Sequence, residues 1–304
     1  VADTDFSRAQ EVAKVYGVDA CDSYEALIGH TKPDGVIVST PTPTHKEIAE
    51  AIARKFDGIK GILVEKPLAS NLKDARKLAD LLRKADIQAV VGHSEIYNPA
   101  VERTLALIRE GAIGTPQTII HDRRGFVQPS RIPSLGDVFE DIGVHDFDIM
   151  TRISSGPARL FAQSTLMDNV MNTGAVLVKF DEGSEHFFHL SRQYVGRKRS
   201  LDVSGTKGTL VLDLFGQLIK VQDRDQAPSL DGRTISLPER GTTIKVYGEP
   251  IQQLITDFLH CIETGDEPKV SLDDGIAALE VVEAARKSAL SGKPVDIEVH
   301  SRHT

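Results

Sequence analysis

A single histidine lies among four acidic residues in the segment EDIGVHDFD, residues 140–148. In a helix, side chains three or four positions apart share one face, and four polar residues follow that spacing: Asp141, His145, Asp148 and Arg152. An apolar stripe runs beside this row, formed by Val138, Ile142, Ile149 and Ile153. His145 then lies where a buried face meets a solvated one, and its imidazole can accept a proton near neutral pH. The segment alone is also consistent with a charged helix face that carries one half-buried histidine.

The first hundred residues are typical of alternating strands and helices. Short apolar runs predict strands at 35–40, 61–67 and 87–93. Amphipathic patterns predict helices that begin after Asp5, Ser23 and Asn71, and another over 46–56. Strands separated by helices of this length favour a parallel sheet with helices on both faces. Residues 1–115 are therefore predicted to form an α/β dinucleotide-binding domain, a doubly wound parallel sheet.

Ligands bind such sheets at the carboxyl ends of the strands. The residues at these ends are Asp3, Ser39, Thr40, Pro41, Glu65, Lys66, Pro67, Gly92 and His93. An acidic residue after the second strand of a dinucleotide fold binds the ribose hydroxyls of NAD and repels the 2′-phosphate of NADP. Asp3 is the candidate for that role, because Asp5 fits a helix N-cap. This assignment favours NAD over NADP.

A dinucleotide fold also needs a glycine-rich turn before that acidic residue, because the turn holds the pyrophosphate at a helix N-terminus. The sequence contains no G-x-G-x-x-G turn and opens on VADTD, which is typical of the end of a strand. We therefore expect an N-terminally truncated Rossmann domain that lacks its first strand, glycine turn and first helix. A complete domain that binds no dinucleotide is the alternative.

From about Thr115 the pattern changes to short alternating runs separated by glycine-containing turns, such as DEGS (181–184) and SGTKGT (204–209). These patterns indicate antiparallel strands and hairpins. Two helical patterns follow, over 250–265 and 273–293. Residues 116–304 are therefore predicted to form an α+β domain with one large, mostly antiparallel sheet, which serves substrate binding and oligomerisation.

The composition excludes several classes of protein. A formal net charge of −8 argues against broad binding to nucleic acid. No apolar run approaches the roughly 18 to 20 residues of a membrane span, and no secretory signal pattern is present. Cys21 and Cys261 lie far apart and form neither a disulfide nor a zinc motif. A cytoplasmic protein with reduced thiols is expected.

Four segments in order carry a family resemblance: STPTPTH (39–45), EKPLAS (65–70), DIGVHDFDIM (141–150) and SLDDGIAALEVVEAARKSALSGKPV (271–295). Through them, essentially the whole chain resembles the Gfo/Idh/MocA (glucose–fructose oxidoreductase / inositol dehydrogenase) family. The E-K-P turn and the D-x-x-x-H pattern downstream form a specific pair, whereas either alone is weak. Within the family, residues 91–101, 122–150 and 197–214 are most similar to nucleotide-sugar dehydrogenases.

The resemblance implies NAD(P)-dependent hydride transfer at a sugar carbon, with a nucleotide sugar such as UDP-N-acetylglucosamine as substrate. By motif position, Lys66, Asp141 and His145 are implied as catalytic, and the Lys66–Pro67 bond as cis. The implied cofactor positions are Asp3, Ser39, Thr40, Pro41, His45, Glu65 and Lys66. The implied substrate positions are His93, Asn98, Asp141 and His145. A homodimer or homotetramer is expected, since a broad sheet with one open face favours self-association.

Residue chemistry is consistent with these roles. His145 is the expected proton acceptor, and Asp141 is expected to orient its ring, stabilise the imidazolium or hold a sugar hydroxyl. Lys66 lies near the cationic nicotinamide, where like charge lowers the pKa of an ammonium and lets it share a proton with the reacting oxygen.

Basic residues predict the charge of the substrate. Arg124 and Arg131, in a stretch that also holds His121 and Arg123, are candidates for binding phosphate oxygens, and 197–199 adds three more basic residues. Ordinary surface ion pairing in an acidic protein is the alternative.

Other functions remain open at this stage. A metal site formed by Asp141, His145 and Asp148 is chemically possible, but no further His or Cys cluster lies nearby, and none is expected. A free-sugar or inositol dehydrogenase would use the same catalytic residues, and so would an NAD-assisted glycosidase. A non-catalytic sensor of a sugar or cofactor is the remaining alternative, and the intact catalytic set argues against it.

Overall fold

The computed structural model describes residues 1–223, 230–231, 234–235 and 241–300. Its first part alternates helices and strands, as the sequence predicts. The elements are α1 (Phe6–Tyr16), α2 (Tyr24–Thr31), β1 (Gly35–Val38), α3 (Thr42–Lys55), β2 (Gly61–Glu65), α4 (Leu72–Lys84) and β3 (Gln88–Gly92).

Local signals set the boundaries of these helices. The Ser23 hydroxyl accepts a hydrogen bond from a backbone N–H in the first turn of α2, and the Asn71 side chain does the same for α4. Gly17 ends α1 in the left-handed conformation, at φ 67°. Asp5 precedes α1 as predicted, but its side chain makes no capping bond.

The three strands form a parallel sheet in the order β1–β2–β3. Gly35 pairs with Gly61, which pairs in turn with Gln88. This arrangement confirms the predicted parallel sheet. Residues 1–3, predicted as the end of a strand, form one isolated parallel bridge between Ala2 and Cys21.

The second part begins with a 3₁₀ turn (Ser94–Tyr97) and α5 (Pro99–Arg109). Between its first two strands lie a 3₁₀ turn (Pro129–Ser134), a π-helical turn (Phe139–Gly143) and α6 (Val144–Thr151). The strands are β4 (Pro116–Phe126), β5 (Gly156–Met167), β6 (Val170–Phe180), β7 (Glu185–Ser191), β8 (Gln193–Gly205), β9 (Gly208–Asp213), β10 (Leu218–Asp223), β11 (Leu230–Asp231), β12 (Thr234–Ile235), β13 (Thr242–Lys245) and β14 (Val295–Val299). The last helices are α7 (Pro250–Thr264) and α8 (Leu272–Ser291).

Nine of these strands form one sheet, in the order β13–β10–β9–β8–β4–β7–β6–β5–β14. β4 and β7 are parallel neighbours, whereas the other neighbouring pairs are antiparallel. The mostly antiparallel sheet is therefore confirmed. The edge strand β14, which pairs with β5, was not predicted from the sequence.

Helices α7 and α8 pack on the parallel sheet, although they follow the antiparallel one in the chain. A Cβ atom on Gly61 would lie 2.5 Å from Ile262 Cγ1 and 2.9 Å from the Phe258 ring, so the glycine allows α7 to approach the strand. A Cβ on Gly275 of α8 would lie 2.9 Å from Val91 of β3. One cluster of buried apolar side chains thus includes residues of both parts, and the division at residue 115 stays a prediction.

Two histidines of the large sheet are buried against each other. His121 Nε2 of β4 lies 3.1 Å from His186 Nδ1 of β7, and His186 Nε2 lies 3.0 Å from the Ser154 hydroxyl. Burial lowers the pKa of His121 below its ordinary value, and it lowers the pKa of His186 further. Neutral rings can share a hydrogen between these nitrogens, whereas two imidazolium rings would repel each other.

We expect this pair to make the fold sensitive to acid. The pKa of each ring is lowered in the folded protein, so its contribution to stability is fully present above about pH 6.5 and is lost as the pH falls below that value. When the pH falls from 6.5 to 5.5, the free energy of unfolding of the parent should decrease by about 1 kcal/mol more than that of His186→Gln. Urea unfolding at pH 7.5, 6.5 and 5.5 measures this difference.

The control is His30→Gln, because His30 lies exposed in the last turn of α2. It should retain the pH dependence of the parent. Equal pH dependence in His186→Gln and the parent would contradict the role given to the buried pair.

Candidate active site

Lys66 and Asp141 meet where β2 ends and the π-helical turn begins. Lys66 Nζ donates a hydrogen bond of 2.5 Å to the backbone carbonyl of Asp141 and lies 3.5 Å from Asp141 Oδ1. The two side chains are 20% and 14% exposed. The Lys66–Pro67 peptide is cis, as the family resemblance implies. Because an ammonium has three N–H donors, this arrangement leaves Lys66 a donor for a substrate oxygen.

Arg192, between β7 and β8, lies against the other oxygen of the same carboxylate. Its Nη1 is 3.3 Å from Asp141 Oδ2, and its side chain is fully buried. Sequence reasoning missed this residue, because a lone arginine between two strands carries no motif. Only the fold brings it to a partner 51 positions away.

The segment that was predicted as one regular helix has two parts, the π-helical turn and α6. A π turn holds more residues than an α turn, so the spacing of side chains changes along the segment. Asp148 and Arg152, which both follow the π turn, are paired at 3.1 Å between Oδ1 and Nε. Asp141 lies within the π turn, and its carboxylate contacts Lys66 and Arg192. The single regular helix expected over this segment is therefore wrong, and the alignment of Asp141 with His145 stays a prediction.

His145 lies in the first turn of α6, with its ring half-buried. Burial lowers its pKa well below the ordinary value, and nearby Lys66, Arg123 and Arg199 lower it further. Its Nδ1 is buried and has no hydrogen-bond partner within the described ranges, so Nε2 is the nitrogen that can reach a ligand. The imidazole is neutral near pH 7 and can accept a proton.

The acidic residues after His145 bind its neighbours. Asp148 Oδ2 lies 2.9 Å from His93 Nδ1, and the His93 ring centroid lies 6.4 Å from that of His145. Asp146 accepts a hydrogen bond from Arg123 Nε. Asp146 and Asp148 thus contact the neighbours of His145, whereas burial and nearby cations lower the pKa of His145 itself. The expected role of Asp141 toward this ring stays a prediction.

Two residues predicted to bind substrate are buried away from solvent. His93 is 1% exposed and Asn98 is 3% exposed. Asn98 accepts a hydrogen bond from the Ala100 N–H as the N-cap of α5, and it donates one to the Leu214 carbonyl. The structure thus places His93 next to Asp148 and gives Asn98 a role in holding α5.

Two arginines share a buried carboxylate close to His145. Glu95 Oε1 accepts hydrogen bonds from Arg123 Nη1 at 2.9 Å and from Arg199 Nη1 at 2.8 Å. Although burial lowers the pKa of Arg123, Asp146 and Glu95 raise it more, and the guanidinium stays charged. Arg199 keeps 41% of its side chain exposed, so part of its charge remains available to a ligand.

Most of the predicted cofactor residues lie at the carboxyl ends of the parallel strands. Ser39 and Thr40 are exposed after β1, and Pro41 is the N-cap residue of α3. Glu65 is the last residue of β2. A Cβ atom on Gly92 of β3 would lie 3.0 Å from the carboxyl carbon of Glu65. The three strand ends therefore form one continuous edge.

Two further predicted cofactor residues are engaged within the protein. The ring nitrogens of buried His45 lie 2.7 Å from the Thr40 carbonyl and 2.9 Å from the Pro67 carbonyl, so His45 ties two strand ends together. Asp3 accepts a hydrogen bond of 2.8 Å from the Asp5 N–H and forms an ion pair with Arg8 at 3.4 Å. Its role toward a ribose stays a prediction.

An arginine-rich cavity of about 260 Å³ opens beside the π-helical turn. The residues that line it include six arginines and no carboxylate: Arg123, Arg124, Gly125, Phe126, Val127, Arg131, Ile142, Ser191, Arg192, Arg197, Arg199 and Phe215. The structure thus brings the predicted substrate residues Arg124 and Arg131 together with four more arginines. For Arg124 the structure shows the alternative, ion pairing within the protein: its guanidinium donates two hydrogen bonds of 2.6 and 2.8 Å to Asp122.

The described ranges contain no group of three His, Cys, Asp or Glu side chains arranged to hold a metal ion. Asp148, one ligand of the alternative metal site, is engaged by His93 and Arg152 instead. A search of the same ranges finds no helix with the length and apolar character of a membrane span.

Family models match both parts of the chain. Residues 1–93 match the model described as oxidoreductase family, NAD-binding Rossmann fold. Residues 101–211 match the GFO/IDH/MocA C-terminal domain.

Relatives and a solved structure align along almost the whole chain. Myo-inositol 2-dehydrogenase of Thermotoga maritima is 27% identical over 311 residues, which are 98% of this chain and 90% of the relative. Scyllo-inositol 2-dehydrogenase (NAD(+)) of Bacillus subtilis is 26% identical over 315 residues, 98% of this chain and 87% of the relative. UDP-N-acetylglucosamine 3-dehydrogenase of Acidithiobacillus ferrooxidans superposes with a TM-score of 0.82 at 20% identity, covering 96% of this chain and 89% of that one. The chain therefore belongs to the Gfo/Idh/MocA family of oxidoreductases, with an NAD-binding Rossmann domain.

Proposed function

We propose that the protein is an NAD-dependent dehydrogenase that oxidises a ring CH–OH carbon of a nucleotide sugar such as UDP-N-acetylglucosamine. The observation that carries this proposal is the cavity with six arginines beside the catalytic set. A neutral sugar or an inositol presents hydroxyl groups only. A diphosphate presents oxygens and charge that arginines bind through pairs of parallel hydrogen bonds.

The protein itself neutralises only part of this positive charge. Four of the six arginines are paired with carboxylates. Arg131 and Arg197, in contrast, are exposed, and neither forms an ion pair with a residue of the described ranges. These two charges match those of a diphosphate, and they are the residues that we assign to its recognition.

Aromatic side chains line the same cavity. Phe126 is 53% exposed and Phe215 is 46% exposed. The Arg199 guanidinium lies 4.7 Å from the centroid of the Phe215 ring. An exposed ring beside bound phosphates offers a base a surface for stacking, which a free hexose does not need.

The strand ends of the first part fit a dinucleotide at the edge next to Lys66. The close approach of Gly92 to Glu65 leaves no room for a side chain between β2 and β3. Ser39 and Thr40 are exposed directly before α3, where free backbone N–H groups favour oxygen acceptors. NAD⁺ held at this edge would supply the acceptor for the hydride of the sugar carbon.

The residues of the chain manage the proton and the oxygen. Neutral His145 accepts the proton of the substrate hydroxyl at Nε2 as the carbon loses its hydride. Lys66 donates its free N–H to the same oxygen and stabilises the negative charge that develops on it. Asp141 holds Lys66 in place. The sugar leaves as a ketone, and His145 returns its proton to solvent.

We expect the double variant Arg131→Ala/Arg197→Ala to raise the KM for UDP-N-acetylglucosamine roughly 10- to 100-fold. The kcat should stay within about threefold of the parent, because these arginines bind the ground state and the transition state alike. NADH formation by the full-length protein, at saturating NAD⁺, measures both constants.

Arg159→Ala is the matched control, since Arg159 is a surface residue of β5 that pairs with Asp296. Its KM should equal that of the parent. Turnover of myo-inositol or a free hexose without turnover of any UDP-sugar would reject the nucleotide-sugar assignment. Release of free sugar without net NADH would indicate NAD-assisted hydrolysis, and NADH binding without any turnover would indicate a sensor.

We expect His145→Ala to lower kcat roughly 10²- to 10⁴-fold, because the proton acceptor is lost. In the parent, kcat/KM should stay constant from pH 8 down to about pH 6.5 and fall only below that value. The sign follows from the pKa of His145, which burial and the nearby cations lower, so the ring gains its proton only in acid.

Exposed His260 of α7 provides the control, and His260→Ala should keep the pH profile of the parent. A decline in kcat/KM centred above pH 6.5 would argue against His145 as the base. Retention of more than one-tenth of kcat in His145→Ala would do the same.

We also propose that the protein self-associates through the face of the large sheet that carries a row of apolar side chains. Ile120 of β4 pairs with Phe187 of β7, which pairs with Leu177 of β6. These side chains are 45%, 38% and 36% exposed. A contiguous apolar patch across neighbouring strands is typical of an interface between subunits.

Phe187→Glu should shift the protein from a dimer or tetramer toward the monomer, because a carboxylate would be buried without a partner. Sedimentation velocity measures the mass in solution. Leu290→Glu on α8, where the leucine is 72% exposed, introduces the same charge away from this sheet and should leave the mass unchanged. A parent that sediments as a monomer would contradict the proposal.

A further inference from the structure

Arg192 binds several parts of the active site at once, with its guanidinium fully buried. Its Nε donates to the side-chain oxygen of Asn172 at 2.8 Å, and its Nη2 donates to the Met171 carbonyl at 3.0 Å. Its Nη1 donates to the Gly136 carbonyl at 3.0 Å and lies 3.3 Å from Asp141 Oδ2. The side chain therefore ties the start of β6 to the segment that leads into the π-helical turn.

The Asp141 carboxylate lies between two cations, one at each oxygen. Lys66 Nζ is 3.5 Å from Oδ1, and Arg192 Nη1 is 3.3 Å from Oδ2. Both distances exceed the roughly 2.7 to 2.9 Å of a charge-assisted hydrogen bond. The carboxylate is thus shared and does not close on either partner.

We propose that Arg192 is a positioning residue that restrains Asp141 and thereby keeps a Lys66 N–H available to the reacting oxygen. This inference rests on the proposed dehydrogenase function. Without Arg192, the mostly buried carboxylate has one cation left to compensate it and moves closer to Lys66. A tight pair draws the ammonium toward Asp141 and engages a second of its three N–H groups, which turns the remaining donor away from the substrate oxygen.

Burial makes this restraint effective. In a site with little water, opposite charges attract more strongly than at the surface. Asp141 is 14% exposed and Lys66 is 20% exposed, so water competes weakly for either group. A second fixed cation is therefore an effective means of holding the carboxylate at a distance from the lysine.

Arg286 of α8 provides a matched comparison. Its Nε donates to Asp137 Oδ2 at 2.5 Å, and its Nη2 donates to Glu140 Oε2 at 2.9 Å. It therefore holds the same turn from another element, but it forms no ion pair with Asp141. A role confined to stabilising the turn would be shared by the two arginines, whereas a role through Asp141 belongs to Arg192 alone.

The experiment compares Arg192→Lys and Arg286→Lys, each in the parent and in the Asp141→Asn background. We expect Arg192→Lys to lower kcat roughly 10- to 100-fold with KM within about threefold. In the Asp141→Asn background the same change should lower kcat less than about threefold, because the group through which it acts is gone. Arg286→Lys should change kcat by one and the same factor in both backgrounds.

Equal losses of kcat for Arg192→Lys in both backgrounds would overturn the proposal. If Arg192→Lys does not fold, Asn172→Ala replaces it in the same comparison, since it removes the acceptor of Arg192 Nε and otherwise only a weak contact of 3.8 Å with Met167 Sδ. A parent without turnover would reject the proposed function instead. In that case the urea-unfolding midpoints of the two single variants and the double variant measure the coupling between Arg192 and Asp141. A midpoint shift of the double variant that equals the sum of the two single shifts would overturn the positioning role.

Discussion

The contact between Lys66 and Asp141 joins the first part of the molecule to the second at the candidate active site. Lys66 is fixed by the end of a buried strand, and its partner lies 75 positions later in a turn that belongs to the other part. The two side chains are 20% and 14% exposed, so their charges interact more strongly than those of a surface pair. The position of the Lys66 ammonium in the candidate site therefore depends on the turn that carries Asp141.

Arginine serves two purposes around this contact, and the nearby carboxylates determine which one. Arg123 is compensated by Asp146 and Glu95, so it acts as a fixed structural charge that helps keep His145 neutral. Arg131 and Arg197 have no such compensation within the described ranges, and they remain exposed to a ligand. The protein thus separates the charges that surround His145 from those that can bind an anion.

Features that depend on short-range signals could be predicted from the sequence. Alternating strand and helix patterns, the caps at Ser23 and Asn71, and the antiparallel character of the second sheet follow from residues close in the chain. The π-helical turn could not be predicted, because it changes the hydrogen-bond spacing without a distinctive composition. Arg192 was missed for a related reason, since only the packing of distant strands gives it a partner.

Substrate selection has to be inferred from the cavity, because the relatives named above act on inositols at 26–27% identity and the likeness to a nucleotide-sugar enzyme at 20% identity shows only a shared fold. The chain carries 44 acidic and 36 basic residues, yet the cavity wall has six arginines and no acid. In an acidic protein, random placement of charged residues would put more acidic than basic side chains in such a wall. A neutral polyol would leave the charges of Arg131 and Arg197 without a counter-charge from the ligand. The two negative charges of a diphosphate would supply that counter-charge, so the cavity favours the proposed nucleotide sugar over a neutral polyol.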